Sequence, residues 1–85
     1  MIRVAGANVS RVAMAELALE LRDAGEQLLA DRILAALNRG EPRLPLSHDE
    51  RNRLIPLLDD PPAGLEELRA TLLTEHVKRV RGGLA

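Results

Sequence analysis

The feature that most constrains this chain is the complete absence of Phe, Trp, Tyr and Cys from its 85 residues. Its core must therefore be aliphatic, and neither a disulfide nor a cysteine-based metal site can reinforce it. Leucine (17) and alanine (12) supply about a third of the chain, a mixture that fills space by bringing helices close together. Val and Ile are few, which argues against an extensive sheet. The composition favours helix-on-helix packing, and together with the segment pattern below it predicts an all-α fold, a compact bundle of four short helices.

Chain length limits both domain count and stability. Eighty-five residues hold one domain, so we expect a single helical domain over 1–85. A domain of this size buries only about 60–65% of the surface that its unfolded chain exposes, which leaves a thin stability margin. Burial against a partner is the remaining source of added stability.

Glycine, proline and capping residues divide the chain into segments. We expect four helices, near 9–24, 26–39, 48–58 and 62–81. Asn8 or Ser10 caps the first helix, and Gly25 and Gly40 end the first two helices in the left-handed conformation.

The second half of the chain carries a stronger start signal. Ser47 and Glu50 have the spacing of a capping box, which predicts the start of the third helix. Pro56 lies two turns further on and predicts a kink or an early end near Ile55.

Two prolines interrupt the pattern before the third helix. Pro42 and Pro45 make 41–46 extended, and this segment (43–46) can pair with 2–4 in a minimal two-stranded ladder.

The last helix carries the candidate binding residues. Asp60 and Pro61 are expected to start it, and Gly82 and Gly83 to end it. One apolar stripe, expected to pack on the domain, contains Leu65, Leu68 and Leu72. A second, displaced stripe is the candidate protein-binding surface, unless the bundle buries both; it contains Leu73, Val77 and Val80.

No reactive constellation accompanies these elements. His48, expected exposed, and His76, expected half-buried, have no further ligands to form a metal site. The only serines are Ser10 and Ser47, and both are explained as caps. Glu75 and Arg79 are expected to form an ordinary i,i+4 pair. We therefore expect no catalytic residue, no cofactor and no metal, and predict that the protein is not an enzyme.

Charge and patterning indicate where the protein works. The net charge of −1 provides no global attraction for nucleic acid or an acidic membrane. No signal-like or membrane-length apolar run is present, so we expect a cytoplasmic protein. Eleven Arg against one Lys, with abundant Ala and Leu, suggests a GC-rich source genome.

Two functional hypotheses follow. By elimination, the first is a non-enzymatic interaction module that binds a second copy of itself or another protein. The second is a DNA-binding regulator or antitoxin. Residues 1–39 consist of a short N-terminal segment, a helix, Gly25 and a second helix, and this order resembles the ribbon-helix-helix family. That resemblance implies a strand that contacts the DNA bases. In the N-terminal segment Arg3, between Ile2 and Val4, is the residue that could make such a contact. No motif specific to a characterised family is present.

Overall fold

A computed structural model describes residues 1–59 and 64–84 of the chain. Its elements, in order, are β1 (Ile2–Val4), β2 (Ala7–Val9), α1 (Arg11–Asp23), α2 (Gln27–Asn38), β3 (Arg43–Leu44), α3 (His48–Leu54), a 3₁₀ turn (Ile55–Leu58) and α4 (Glu66–Leu84). Helices dominate, as predicted. The all-α class is nevertheless wrong, because the strands form a three-stranded sheet and the fold is mixed.

The sheet has the strand order β2-β1-β3. The predicted pairing of the N-terminus with the proline-rich segment is present, with Val4 parallel to Leu44. The antiparallel β1–β2 hairpin was not predicted. Its two-residue turn has positive φ at both Ala5 (50°) and Gly6 (91°), the backbone that matches the twist of a tight hairpin.

Side chains alternate across this sheet, as a half-buried sheet requires. The inward-facing residues of β1 and β2 are aliphatic and buried, whereas Arg3, Asn8 and Arg43 are exposed on the other face. Two arginine side chains hold the segment around β3 by donating to backbone carbonyls, Arg11 to Glu41 (2.9 Å) and Arg32 to Pro45 (2.8 Å). The short β3 strand therefore depends on the helices for its position.

The first helix follows its predicted start signal, and both of the first two helices follow their predicted glycine stops. The Ser10 hydroxyl accepts the Ala13 N–H at 3.3 Å, and Gly25 and Gly40 have φ of 86° and 68°. Val9, expected in the first helix, instead ends β2. The buried faces of α1 and α2 contain Ala13, Met14, Leu17, Ala18, Leu21, Leu29, Ala30, Ile33 and Ala36.

The start of α3 is the predicted capping box. The Ser47 N–H donates to the Glu50 carboxylate at 2.9 Å, and the Glu50 N–H donates to the Ser47 hydroxyl at 3.2 Å. The α-helix ends at Leu54, and Pro56 lies within the 3₁₀ turn. The predicted early end is confirmed, because proline removes a bond from the α-helical ladder.

The last helix departs from its predicted bounds at both ends. It begins at Glu66 and not near 62, and the expected start at Asp60 and Pro61 lies outside the described residues. It continues through Gly82 to Leu84, so the expected glycine stop near 81 is wrong. Gly82 lacks the positive φ that ends a helix at glycine.

Candidate interaction surface on the last helix

The N-terminal half of α4 anchors this helix to the domain. Leu68 and Leu72 are buried, as is Leu65 directly before the helix, as predicted for the inner stripe. They belong to one continuous hydrophobic cluster with the sheet, α1, α2 and the 3₁₀ turn, and α4 contacts β2 and that turn. This half of α4 is therefore part of the core.

The predicted binding residues lie on a different side of α4. Leu73 is half-buried, whereas Val77 and Val80 are 46% and 49% exposed. The bundle therefore does not bury both stripes. We call Leu73, Val77 and Val80 the α4 stripe; their role in binding stays a prediction.

A shallow groove of 350 Å³ lies beside Leu73 and Val77 of the α4 stripe. Its lining residues are Leu73, Thr74, Val77, Lys78 and Arg81. An apolar centre with polar and cationic neighbours is the composition of a small protein–protein contact.

The opposite side of the C-terminal half is held by polar contacts with α3. Arg51 Nη1 donates to the Glu75 carboxylate at 2.6 Å, and the Arg79 guanidinium contacts the His48 ring. The expected i,i+4 pair of Glu75 with Arg79 is therefore wrong, because both side chains are engaged with α3. These contacts fix the rotation of α4 and leave Val77 and Val80 facing away.

The two ends of α4 carry opposite charge. Glu66 and Glu67 lie in the first turn, where they accept the backbone N–H groups of Gly64 (3.0 Å) and Asn8. Lys78 and Arg81 lie beside the groove in the last turns. Each end complements the helix dipole.

Helix α3, which contacts the C-terminal half of α4, is itself held by ion pairs. Burial raises the pKa of Glu50, but hydrogen bonds from Ser47 and Arg32 outweigh burial, and the net pKa lies below its ordinary value of 4.5. The Arg32–Glu50 pair ties α2 to α3, and Arg53 binds both Glu26 (2.7 Å) and Asp49 (2.9 Å). These ion pairs therefore hold α3 in place where it contacts α4.

Residues 1–59 and 64–84 contain no group of His, Cys, Asp or Glu arranged to hold a metal ion. His48 is exposed, as predicted. His76 is exposed and not half-buried, because its position falls between the inner stripe and the α4 stripe. No helix in the described part of the chain is long and apolar enough to cross a bilayer.

One cluster was not foreseen from the sequence. Arg3, Arg43 and Arg51 line a single groove at the edge of the sheet, although 40 residues of chain separate the first two. The sequence signal was an arginine at the outward position of β1 and of β3. Their proximity depends on the parallel β1–β3 pairing, whose register no local pattern specifies.

Comparison of the chain with protein-family models, curated proteins and solved structures gives no significant match. Functional assignment therefore depends on the residues and their geometry.

Proposed function

We propose that this chain is a non-enzymatic interaction module that pairs with a second copy of itself through the α4 stripe. The observation that carries the proposal is the partial exposure of Val77 and Val80 beside an inner stripe that already supplies the core. Aliphatic side chains gain about 25 cal/mol per Å² of apolar surface removed from water. A second copy offers the same surface.

The charge pattern favours an antiparallel pair. In that arrangement the acidic first turn of one α4, with Glu66 and Glu67, approaches the basic last turns of the other, with Lys78 and Arg81. A parallel pair would place like charges together at both ends, which opposes association. A two-fold antiparallel pair also aligns the helix dipoles favourably, and two-fold dimers are the commonest closed oligomers.

The length of the α4 stripe sets the expected affinity. Nineteen residues of α4 span about 28 Å, and the stripe occupies roughly the second half. Such a contact lies at the small end of specific interfaces, so we expect a dissociation constant in the micromolar range.

A pair of matched valine variants tests the surface. Val77→Glu places a charge in the proposed interface and should yield a monomer by light scattering at tens of micromolar. Val12→Glu, on α1, is the control, because Val12 is a helical valine that is 70% exposed and lies outside the α4 stripe. Dissociation by Val12→Glu but not by Val77→Glu would place the interface on α1 and contradict the proposal.

Cysteine crosslinking tests the orientation, and the chain has no native cysteine to interfere. If Leu73 of one copy lies opposite Val77 of the other, Ala70 lies level with Val80. These positions are about 15 Å apart along one helix, whereas a disulfide needs Cα atoms within about 7 Å. An oxidised mixture of Ala70→Cys and Val80→Cys should therefore crosslink, and neither variant alone should. Crosslinking of each variant with itself would indicate a parallel pair.

A DNA-binding regulator is the second candidate, and Arg3 is the observation that favours it. Arg3 is exposed on the central strand with Asn8 and Arg43 directly opposite, so polar side chains cross the outer face of the sheet. Two strands, and not one, precede the first helix, which differs from the ribbon-helix-helix order. A gel-shift at low salt tests this function, because a nucleic-acid complex should weaken steeply as salt rises.

A further inference from the structure

A groove of 660 Å³ lies at the sheet edge, and three arginines are among the seven residues that line it. Arg3 comes from β1, Arg43 from β3 and Arg51 from α3, and the hairpin turn and the end of β3 complete the walls. No carboxylate from the described residues lines it. Its volume lies in the range of small-molecule sites.

Arg3 and Arg43 are placed where like charges are unfavourable. Their Cα atoms are direct partners in the parallel β1–β3 register, and both side chains are on the exposed face of the sheet. Like charges directly opposite each other destabilise a strand pair. Among residues 1–59 and 64–84, neither arginine forms an ion pair with a carboxylate. An anion bound between them would remove this repulsion.

The third arginine differs because it is already fixed. Arg51 has only 22% of its side chain exposed, and its guanidinium is bound to Glu75 at 2.6 Å. Glu75 neutralises the charge of Arg51 but leaves other N–H donors on the planar guanidinium. The groove therefore has two uncompensated positive charges and one pre-oriented donor group.

This charge balance selects the ligand class. A phosphate monoester carries about −1.5 to −2 charges at pH 7, which matches two uncompensated guanidiniums. Arginine donates paired N–H groups that fit phosphate oxygens. A nucleic acid strand is less suited, because the chain has no aromatic residue for base stacking and carries a net charge of −1.

We propose that the groove between Arg3, Arg43 and Arg51 binds the phosphate group of a small phosphate monoester. This site lies outside the α4 stripe and does not depend on self-association. Val77→Glu should therefore leave phosphate binding unchanged.

The test is an NMR titration of the full chain with inorganic phosphate, glucose 6-phosphate and a single-stranded oligonucleotide. Both phosphate compounds should give saturable shifts of the Arg3, Gly6 and Arg43 amides below about 20 mM, the range for millimolar affinity. Tighter binding of glucose 6-phosphate would indicate a phosphorylated metabolite, and equal binding would indicate recognition of the phosphate group itself. Both results support the proposal.

Two arginine variants make the test specific. Arg43→Gln should weaken binding by at least about tenfold, because a hydrogen bond to a charged group is lost. It should not unfold the chain, since it removes the repulsion with Arg3. Arg22→Gln, at an exposed arginine near the end of α1, is the matched control and should bind like the wild type.

Phosphate should also raise the urea midpoint of the wild type and not that of Arg43→Gln, because a ligand stabilises only the state that binds it. Absence of saturable shifts, an equal loss in Arg22→Gln, or tighter binding of the oligonucleotide than of either phosphate compound would overturn the proposal.

Discussion

The two halves of α4 both carry aliphatic side chains but have different surroundings. Leu68 and Leu72 in the first half are buried, as is Leu65 directly before the helix, whereas Val77 and Val80 in the second half are about half exposed. The inner stripe stops at Leu72 and the α4 stripe starts at Leu73, and a step of one residue turns the apolar face by about 100°. The change in the phase of the pattern therefore separates core from surface.

The two halves also differ in how they are attached. The first half is held by leucines in the hydrophobic cluster, and the second by the Arg51–Glu75 ion pair and the Arg79–His48 contact. Apolar burial contributes more to stability than partly exposed ion pairs do. We therefore expect substitutions in the first half to affect folding, and those in the second to affect association.

The largest expected difference is between two truncations to alanine. Leu68→Ala should lower the free energy of unfolding by about 2–5 kcal/mol, because a fully buried leucine leaves a cavity. Val77→Ala should change it by less than about 0.5 kcal/mol in the monomer, as for most surface substitutions. Urea denaturation at submicromolar concentration, where the proposed dimer is dissociated, measures both. Equal losses would mean that Val77 belongs to the core.

Alanine substitutions of the glycines at the two ends of α4 should change stability in opposite directions. Gly64, just before the helix, has φ of 95°, and an added Cβ would lie 3.3 Å from the Ala13 Cβ. Gly64→Ala should therefore destabilise by about 1–2 kcal/mol. Gly82 lies within the helix with open space around it, so Gly82→Ala should stabilise by about 0.5 kcal/mol. Thermal unfolding checks both signs, and a destabilising Gly82→Ala would argue that α4 ends before this position.

The smallest expected effect is on the pH dependence of stability, through Glu50 of α3, the helix that contacts the second half of α4. The folded-state pKa of Glu50 is below 4.5, so its stabilisation is fully present above about pH 4.5 and is lost as pH falls through the lowered pKa. Between about pH 5 and pH 3 the free energy of unfolding, measured by urea denaturation, should therefore fall less in Glu50→Gln than in the wild type. We expect the difference to be less than about 1 kcal/mol. Glu20→Gln, at an exposed glutamate of α1, is the control. If the free energy of unfolding of Glu50→Gln depends on pH as that of the wild type does, Arg32 and Ser47 do not stabilise the carboxylate.

Local signals predicted much of the fold because their physics is local. The Ser47–Glu50 capping box, the left-handed Gly25 and Gly40 and the end of α3 before Pro56 each need only a few neighbouring residues. The hairpin was missed because its strands have three residues each and its turn places Ala5, and not Asn or Gly, at positive φ.

The site was predicted less completely than the helices. Sequence period identified the α4 stripe, but exposure depends on the rotation of α4, which the contacts of Glu75 and Arg79 with α3 set. The pairing of 2–4 with 43–46 was predicted, but no local signal specifies the parallel register that places Arg3 beside Arg43 in the arginine groove.

Sedimentation equilibrium of the wild-type chain tests the central claim most directly. We predict that the weight-average mass rises from 9.3 kDa, the mass of one chain, toward twice that value as concentration increases through the micromolar range. The Val77→Glu variant, run beside it, should stay at 9.3 kDa while remaining folded by circular dichroism. A wild-type mass that remains at 9.3 kDa at tens of micromolar would contradict self-association through α4.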